Sequence, residues 1–417
     1  PSARERLLAT SRFVSAVIAF VLAAASASAQ SLAGERREPW SLDLTIHKVG
    51  LSIGNSRKLT GVRLNWRDAG VLRINGINVT LWAPGPNPDS RINGLSLGLI
   101  APGGARLRGI VLGGGGIRAE DRLTGIGVGG LAVVSHGSVS GVTLSGLAVT
   151  AEGPVRGITA AGLAVMSGGL MFGVSVAGGS VIASGGLRGI ALAGLATVVQ
   201  QRLTGAAFGG LGVVTEGPLT GVALSGLGVA ARGDLTGISV AGLATFSSGH
   251  MRGVHFGGFA AVAETGMSGL TAAGIAVVSS GDISGITTAG GAVIAKGDLH
   301  GVTVAGLGVV TDGDVKWLTL SGGTLSGTAD ASGIMVGLYR VRSPRVTGLS
   351  ASVVQMRAIE LRGISIAGYN YVRQQRGIAI GIYNDASELR GLQLGLINRA
   401  RNNASGFRWL PLVNAHF

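Results

Sequence analysis

Apolar and small residues alternate along most of the chain, in short stretches that glycines interrupt at regular intervals. Residues 219–234, LTGVALSGLGVAARGD, show the pattern: Val222 and Leu224 flank a small residue, and so do Leu227 and Val229. Alternation with a period of two predicts strands, and glycine between them allows a positive φ at a corner. Two short strands and tight corners in sixteen residues predict one coil of a β-solenoid.

The pattern repeats with a constant step of sixteen residues. Two glycine columns keep that step over twelve units, the first from Gly125 to Gly301 and the second from Gly130 to Gly306. The period is looser upstream, from Gly61, and downstream, to Gly406, which gives 23 register points along the chain. A repeat of this length predicts one elongated all-β solenoid, because a single coil cannot bury enough apolar surface to fold alone.

The repeat also sets the boundaries that we expect along the chain. They are a signal peptide at 1–29, an N-terminal cap or leader at 30–60, irregular coils at 61–124, the regular repeat solenoid at 125–316, and shorter coils with a C-terminal cap and an asparagine ladder at 317–417. Trp317 opens the last segment in the place of a corner glycine. Because a bulky side chain resists the backbone geometry that glycine allows, we expect a bulge or an altered corner there.

The alternation has two phases, and one of them must face the core. We expect the large residues to point inwards, because burial of apolar side chains stabilises the fold. In the coil above these are Leu219, Val222, Leu224, Leu227 and Val229.

The small residues that lie two and four positions after each glycine of the first column are then expected on the outside. They would form a flat face of alanine, serine and threonine. The pairs are Thr143/Ser145, Thr159/Ala161, Ser175/Ala177, Ala191/Ala193, Ala223/Ser225, Ser239/Ala241, Thr271/Ala273, Thr287/Ala289 and Thr303/Ala305. This face either packs on another surface or supplies the small side chains that closely stacked coils need.

The first residues carry the features of an export signal. Three arginines within the first twelve residues, a short apolar run at 13–24 and an Ala-x-Ala site at 27–29 predict cleavage near Gln30. The alternative, a membrane-spanning helix, needs about 20 apolar residues, and this run is shorter. We therefore expect export to the cell surface or outer membrane, with the periplasm as a further location. The chain opens with Pro1 rather than methionine, which is consistent with an incomplete reading frame.

Composition and charge narrow the functional classes. Of 417 residues 75 are glycine and none is cysteine, which excludes disulfide frameworks, thiolate metal sites and cysteine nucleophiles. The net charge is +14: residues 1–124 hold 16 basic and 8 acidic residues, 125–316 hold 7 and 8, and 317–417 hold 11 and 4. The regular part has no continuous basic stripe, so we expect no nucleic-acid partner. The basic ends suit anionic lipid or lipopolysaccharide, or are solvated end caps.

No arrangement of residues predicts catalysis or metal binding. The six histidines lack the spacing of metal ligands; they are His47, His136, His250, His255, His300 and His416. Glycine-rich strings such as residues 125–130 follow from the repeat itself and lack the strand-to-helix context of a phosphate loop. Acidic residues are spread thinly along the turns. We therefore expect no enzyme activity, and no catalytic, cofactor-binding or metal-binding residue.

The last residues carry a second, shorter pattern. Asparagine recurs at 370, 384, 398 and 414, and asparagines in register on adjacent coils can stack as an amide ladder. The strings GIAIGIYN and GLQLGLIN, followed by WLPLVNAHF, resemble the bacterial surface repeat-containing proteins with Gly-Leu-x-x-Gly-Leu-x-Asn repeats. The resemblance covers about the last 60 residues. It implies an exported surface protein of repeat architecture, and it supplies no catalytic residue.

Together these features predict a non-catalytic structural or adhesive protein of the bacterial envelope, which acts through an extended repeat surface. We expect its small-residue face to meet the envelope surface, lipopolysaccharide or another solenoid. Two alternatives stay open. An outer-membrane β-barrel would explain the alternation but needs strands of about 9–11 residues, and a carbohydrate-active solenoid enzyme would need clustered carboxylates on one face.

Overall fold

A computed structural model describes residues 40–417 of the chain, so the expected signal peptide lies outside the described residues. Within this range the strands wind into an elongated β-solenoid with coils of about sixteen residues. The fold class that the repeat predicts is confirmed. Between residues 40 and 417 no helix is long and apolar enough to cross a membrane.

The first strands form the N-terminal end of the solenoid. They are β1 (Ser41–Ile46), β2 (Val49–Gly54), β3 (Lys58–Asn65), β4 (Arg73–Thr80), β5 (Arg91–Gly98), β6 (Gly103–Gly113) and β7 (Gly116–Gly129). β1 and β2 form an antiparallel hairpin, and β2 pairs in parallel with β3. From β3 to β33 each strand pairs in parallel with the equivalent strand of the next coil, which places Lys58 beside Arg73 and Arg73 beside Arg91. The hairpin therefore covers the edge of the first coil.

Each regular coil consists of a long strand and a short strand joined by turns. The long strands are β9 (Ser138–Ser145), β11 (Val155–Ala161), β13 (Met171–Ala177), β15 (Leu187–Ala193), β17 (Leu203–Gly209), β19 (Leu219–Ser225), β21 (Leu235–Ala241), β23 (His250–Gly257), β25 (Gly266–Ala273), β27 (Asp282–Ala289), β29 (Leu299–Ala305), β31 (Val315–Ser321) and β33 (Ala331–Gly337). The short strands are β8 (Ala132–Ser135), β10 (Ala148–Ala151), β12 (Ala164–Ser167), β14 (Ser180–Ala183), β16 (Ala196–Val199), β18 (Gly212–Thr215), β20 (Gly228–Ala231), β22 (Ala244–Ser247), β24 (Ala260–Ala263), β26 (Ala276–Ser279), β28 (Ala292–Ala295), β30 (Gly308–Thr311) and β32 (Thr324–Gly327). β19 pairs with β17 and β21, and β20 pairs with β18 and β22, so two parallel ladders run along the axis.

The last coils are shorter and consist of one continuous strand. The elements are β34 (Arg340–Ala400), a 3-10 turn (Ser405–Phe407) and β35 (Trp409–His416). Glycines with positive φ continue the first column inside β34, at Gly348, Gly363, Gly377 and Gly391. Gly406 lies in the 3-10 turn instead, so the expected register point there was wrong. β35 pairs antiparallel with the end of β34 and covers the last coil.

The core is narrow, and its composition differs from the expectation. In the coil at 219–234 Leu219, Ala223 and Val229 are buried, whereas Leu227 is exposed and Val222 and Leu224 are partly exposed. The inward orientation that we expected was therefore wrong for three of the five large residues. The column two positions after each first glycine, expected outside, is buried at Thr143, Thr159, Ser175, Ala191, Ala223, Ser239, Thr271, Thr287 and Thr303.

The width of the coil explains this reversal. Sixteen residues enclose little space, so large side chains cannot occupy every inward position of a close-packed core. Leu219 and Val229 fill that space, and the position between them accommodates alanine, serine or threonine. The remaining aliphatic residues lie on the other side of the strands and face outwards. On the described coils the small residues therefore line the core and cannot form the outer contact face that we expected.

Both glycine columns are required by the close stacking of the coils. Gly221 has a φ of +127°, and a Cβ there would lie 2.0 Å from the carbonyl oxygen of Gly205. A Cβ on Gly226 would lie 2.2 Å from the carbonyl oxygen of Gly210. A side chain on either of these glycines would collide with the backbone of the preceding coil unless the local backbone shifted, because real Cβ atoms do not approach backbone atoms this closely.

Trp317 occupies the first glycine column without interrupting it. It pairs in register with Gly301 and Gly333, and its φ of 88° stays positive, compared with 113° at Gly301. The bulge that we expected is absent, and the corner is altered only in its smaller φ. The Trp317 side chain is 74% exposed, so packing does not compensate for the backbone conformation. A bulky residue with positive φ stores about 1–3 kcal/mol of strain.

Trp317→Gly is expected to stabilise the protein by about 1 kcal/mol. The substitution removes about 1–3 kcal/mol of strain and adds about 0.5–1 kcal/mol of unfolded-state entropy. Trp317→Ala is the control, because it keeps a Cβ at the same φ and should leave stability near that of the wild type. Denaturant titration measures both. A lower free energy of unfolding for Trp317→Gly than for Trp317→Ala would contradict the assignment of strain.

Polar side chains fill the core of the first coils. Arg63 and Asp68 are fully buried, with 2.7 Å between Nη1 and Oδ1. The amide of Asn78 and the hydroxyl of Thr80 also donate hydrogen bonds to the Asp68 carboxylate. Burial lowers the pKa of Arg63, and the charge of Asp68 opposes that shift. A buried ion pair with several additional hydrogen bonds thus links β3, β4 and the loop between them inside the N-terminal coils.

Amide side chains fill part of the core at the other end. Asn370, Asn384 and Asn398 are buried on successive coils. The amide of Asn370 donates to the amide oxygen of Asn384, and the amide of Asn384 donates to that of Asn398, each at 2.7 Å. Asn414 extends the row from β35 through a 3.5 Å hydrogen bond to the backbone oxygen of Asn398. These amides satisfy one another inside the solenoid, as buried polar groups must.

Candidate interaction surface

The outward side of each long strand carries two columns of aliphatic residues. The first column directly follows each corner glycine, and its members Ile158, Ile190 and Ile238 are 51%, 41% and 44% exposed. The second column lies two residues further on and includes Leu192 and Val240. The parallel pairing places successive members side by side on neighbouring coils. Between residues 126 and 336 neither column contains a charged residue.

A third apolar column, the ridge, lies at the turn between the long and the short strand. Its members are Leu131, Leu147, Leu163, Leu195, Leu211, Leu227, Leu243, Phe259, Ile275 and Leu307, all of them exposed. The short strands add a fourth outward column, which includes Val214 and Ile294. Because Ala223 of the long strand and Val229 of the short strand both face the core, the outer sides of the two strands point away from each other. The ridge is the convex edge between them, and the four columns together are called the apolar surface.

One border of the apolar surface carries cations and no carboxylates. The border column consists of the residues that directly precede the corner positions, from Thr60 to Arg390. Its cations are Arg108, Arg156, Arg188, Arg252, Lys316, Arg362, Arg376 and Arg390, and the other members are uncharged or histidine. Arg156 and Ile158 lie two residues apart on β11 and are both exposed, which corresponds to a separation of about 7 Å. The cations therefore stand directly beside the aliphatic residues.

The apolar surface has two open hollows. One shallow, open depression lies between Val79, Leu97, Leu112 and Val128, and a second lies near Leu144. Within residues 40–417 no group of three or more histidine or carboxylate side chains could hold a metal ion. Small-molecule sites are usually concave and bury most of their ligand.

Four aspartates form a row on consecutive coils, which the sequence reasoning missed. Asp282, Asp298, Asp314 and Asp330 follow one another at sixteen-residue steps, two positions before the border column. Oδ1 of Asp282 accepts a hydrogen bond from the backbone N–H of Asp298 at 2.8 Å, and Oδ1 of Asp298 accepts one from that of Asp314 at 2.8 Å. The step of sixteen was visible in the sequence, so the expectation of thinly spread carboxylates was wrong here.

Three of the four carboxylates in this row lie beside basic side chains. Oδ2 of Asp314 lies 3.5 Å from Nζ of Lys316, and Oδ2 of Asp298 lies 3.8 Å from Nε2 of His300. Arg345 pairs with Asp330 at the end of the row. One oxygen of each of the first three carboxylates thus binds the next coil, and a cationic or ionisable group lies next to the other oxygen of Asp298 and of Asp314. The arrangement matches the stacking of turns and not the free carboxylate pair of a glycosidase.

His255 is a buried exception among the small residues of the core. It is fully buried in the column of Ser239 and Thr271, and its Nδ1 lies 2.8 Å from the Ser239 hydroxyl oxygen. Within the described part of the chain, its Nε2 is buried without a hydrogen-bond partner. Burial lowers the pKa of His255 from 6.5 to about 4. The imidazole is therefore neutral at pH 7.

The stability of the protein is expected to depend on pH through His255. The folded pKa of about 4 lies below the unfolded value of 6.5, so the stability is complete above pH 6.5 and falls as the pH drops towards 4. Between pH 7.5 and 5 this group alone should lower the free energy of unfolding by about 2 kcal/mol. His255→Thr, with the residue type found at position 271, should lack this component. Denaturant titrations at both pH values test it, and an equal pH dependence in the two proteins would contradict it.

No protein-family model matches the chain, and no curated protein or solved structure matches it significantly. The function therefore has to be inferred from the geometry of the surface itself. One signal in the sequence could have identified this surface. Arg156 and Ile158 are two residues apart, so their side chains point to the same side of a strand. Because an unpaired arginine is rarely buried, Ile158 must also point outwards.

Proposed function

We propose that the protein is a non-catalytic structural or adhesive protein of the bacterial envelope, which works through an extended repeat surface. The observation that carries the proposal is the apolar surface, which continues from coil to coil along the solenoid. Contiguous apolar patches of this extent mark interaction sites, whereas scattered apolar residues on soluble monomers need no explanation. The export signal expected at residues 1–29 and the resemblance of the C-terminal repeats to bacterial surface repeat-containing proteins support the same location.

The aspartate row does not favour the alternative of a carbohydrate-active solenoid enzyme. Such an enzyme needs one carboxylic acid that donates a proton and a second carboxylate that acts as base or nucleophile. In the row, one oxygen of Asp282, of Asp298 and of Asp314 accepts a hydrogen bond from the backbone of the next coil. This gives these carboxylates a structural role, so the surface is the stronger basis for a function.

Cell fractionation followed by protease shaving and salt washing tests the proposal. We expect the protein in the envelope fraction, accessible to protease on intact cells and retained after a high-salt wash, because apolar contact is insensitive to screening. A periplasmic marker that stays intact during shaving is the control. Release by salt alone would indicate attachment through the basic ends instead. A soluble periplasmic protein that cleaves a polysaccharide would overturn the proposal.

A further inference from the structure

We propose that the apolar surface docks on an anionic phospholipid bilayer, with the solenoid axis parallel to the membrane plane. This inference rests on the proposed surface role and names the partner of the same surface. Three observations carry it: the convex shape of the apolar surface, the sign of the charges along its border, and the position of the carboxylates.

The convex shape favours a fluid partner over a second copy of the chain. The aliphatic columns of the long strands and the outward column of the short strands lie on two sides of the solenoid, with the ridge between them. A rigid second solenoid packs on one flat side and leaves the ridge and the other side in water. Acyl chains adapt to a convex edge and can cover the ridge together with the long-strand side. Amphipathic elements that lie in the interface bury their apolar face about 5–10 Å deep.

The border charges suit phosphate groups at the level of the lipid headgroups. Arg156, Arg188 and Arg252 lie directly beside the apolar surface, are exposed, and form no ion pair with the described residues. Long cationic side chains can keep their aliphatic stems along apolar surface while the charge reaches the phosphates. Each basic residue near an anionic membrane surface adds attraction that salt screens. A border column with cations and no carboxylates thus complements an anionic headgroup layer.

The carboxylates of the regular coils lie away from this border. The aspartate row is two residues further from the apolar surface than the border column, as Asp298 and His300 show on β29 and the turn before it. Further carboxylates lie at the turn that follows the short strands, two residues beyond the outward column of Val214 and therefore at the far edge of the apolar surface; they are Glu152, Glu216, Glu264 and Asp312. When the long-strand side and the ridge point into the bilayer, the aspartate row and this far edge face the aqueous side and do not oppose the phosphates. Side-chain charge therefore selects the long-strand side, which carries the border column, as the side nearest the headgroups.

Flotation of the whole chain with lipid vesicles tests the inference, because flotation separates bound protein from aggregated protein. The probes are vesicles of phosphatidylcholine alone and of phosphatidylcholine mixed with phosphatidylglycerol. The ridge variant L163Q/L195Q/L227Q/L243Q changes turn residues and leaves the strand ladders intact. Its matched control, S184Q/S248Q/S280Q/T328Q, places the same side chain at four uncharged positions of the turn that follows the short strands, away from the border column and the ridge. A third variant, R156Q/R188Q/R252Q, removes border charge, and circular dichroism confirms that each variant is folded.

The wild type and the control variant are expected to float with the phosphatidylglycerol vesicles. The ridge variant should lose at least tenfold in bound fraction, and the arginine variant should bind the phosphatidylglycerol vesicles less than the wild type does while its binding to phosphatidylcholine alone stays the same. A ridge variant that floats as well as the wild type would overturn the inference. So would a wild type that ignores vesicles and sediments as a dimer that the ridge variant abolishes, because a second copy would then cover the surface.

The two proposals fail in different ways. Envelope localisation without vesicle binding would leave the surface role in place and overturn the lipid partner. Vesicle binding by a protein that fractionates with the cytoplasm would support lipid docking and overturn the role in the envelope.

Discussion

Asp68→Ala is expected to destabilise the N-terminal coils by about 3–5 kcal/mol, because it leaves the buried guanidinium of Arg63 without its counter-charge. Both side chains are fully buried, and Arg63, Asn78 and Thr80 all donate hydrogen bonds to the carboxylate. Without Asp68, Asn78 and Thr80 also lose an acceptor inside the core. Denaturant titration measures the loss, and hydrogen exchange over residues 58–98 locates it, because repeat proteins open locally.

An exposed ion pair nearby provides the matched control for Asp68. Nε of Arg106 lies 2.6 Å from Oδ2 of Asp121, and both side chains are about half exposed. Asp121→Ala should cost less than about 1 kcal/mol, because water solvates the arginine that remains. If the two alanine variants lost the same small amount of stability, burial of the Arg63–Asp68 pair would not be the source of its strength.

Gly221→Ala is expected to destabilise the regular part by about 3 kcal/mol. A non-glycine residue at positive φ costs about 1–3 kcal/mol, and overpacking of a tight contact costs a similar amount. At Gly221 both apply, since φ is +127° and the new Cβ would lie 2.0 Å from the carbonyl oxygen of Gly205. The strain at Trp317 shows that the column can admit a side chain when φ shifts. The free energy of unfolding from denaturant titration is the measurement.

Gly228→Ala in the same coil is the control for Gly221→Ala. A Cβ at Gly228 would lie 3.7 Å from the carbonyl oxygen of Ala244, an ordinary contact, and alanine already occupies the equivalent positions 244 and 260. Gly228→Ala should be neutral or slightly stabilising, because alanine restricts the unfolded chain more than glycine does. Equal destabilisation by the two substitutions would show that loss of glycine in general, and not coil stacking, causes the effect.

The solenoid and its step were predictable because they depend on local repetition. Glycine every sixteen residues, as in Gly205 and Gly221, means that equivalent positions stack with the same contacts on every coil. The corner at the first column also followed from the sequence, since only glycine adopts positive φ at low cost. The asparagine spacing predicted amides in register, and Asn370, Asn384 and Asn398 are hydrogen-bonded in register.

The site was less predictable, because the side of each strand that faces the core depends on the cross-section of the coil. The sequence shows that Ala223 and Leu224 lie on opposite sides of a strand. Both residues are uncharged, so the preference of apolar side chains for burial does not decide which of the two faces the core. The positions of Asp68 and Trp317 were also beyond local reasoning. Asp68 reaches the core from a loop to meet Arg63, and Trp317 keeps the register that its neighbours Gly301 and Gly333 impose.

By itself, the sequence determined the all-β class, the sixteen-residue coil and the columns of glycine, because each depends on residues that contact their equivalents one step away. The tertiary structure decided which phase of the alternation forms the core, a choice that the sequence marks only in coils where an arginine such as Arg156 precedes the corner glycine. A coil this narrow has room for Leu219 and Val229 only when Ala223 lies between them, and that limit turns Val222, Leu224 and Leu227 outwards. The same limit on core volume creates the apolar surface, and therefore the proposed site.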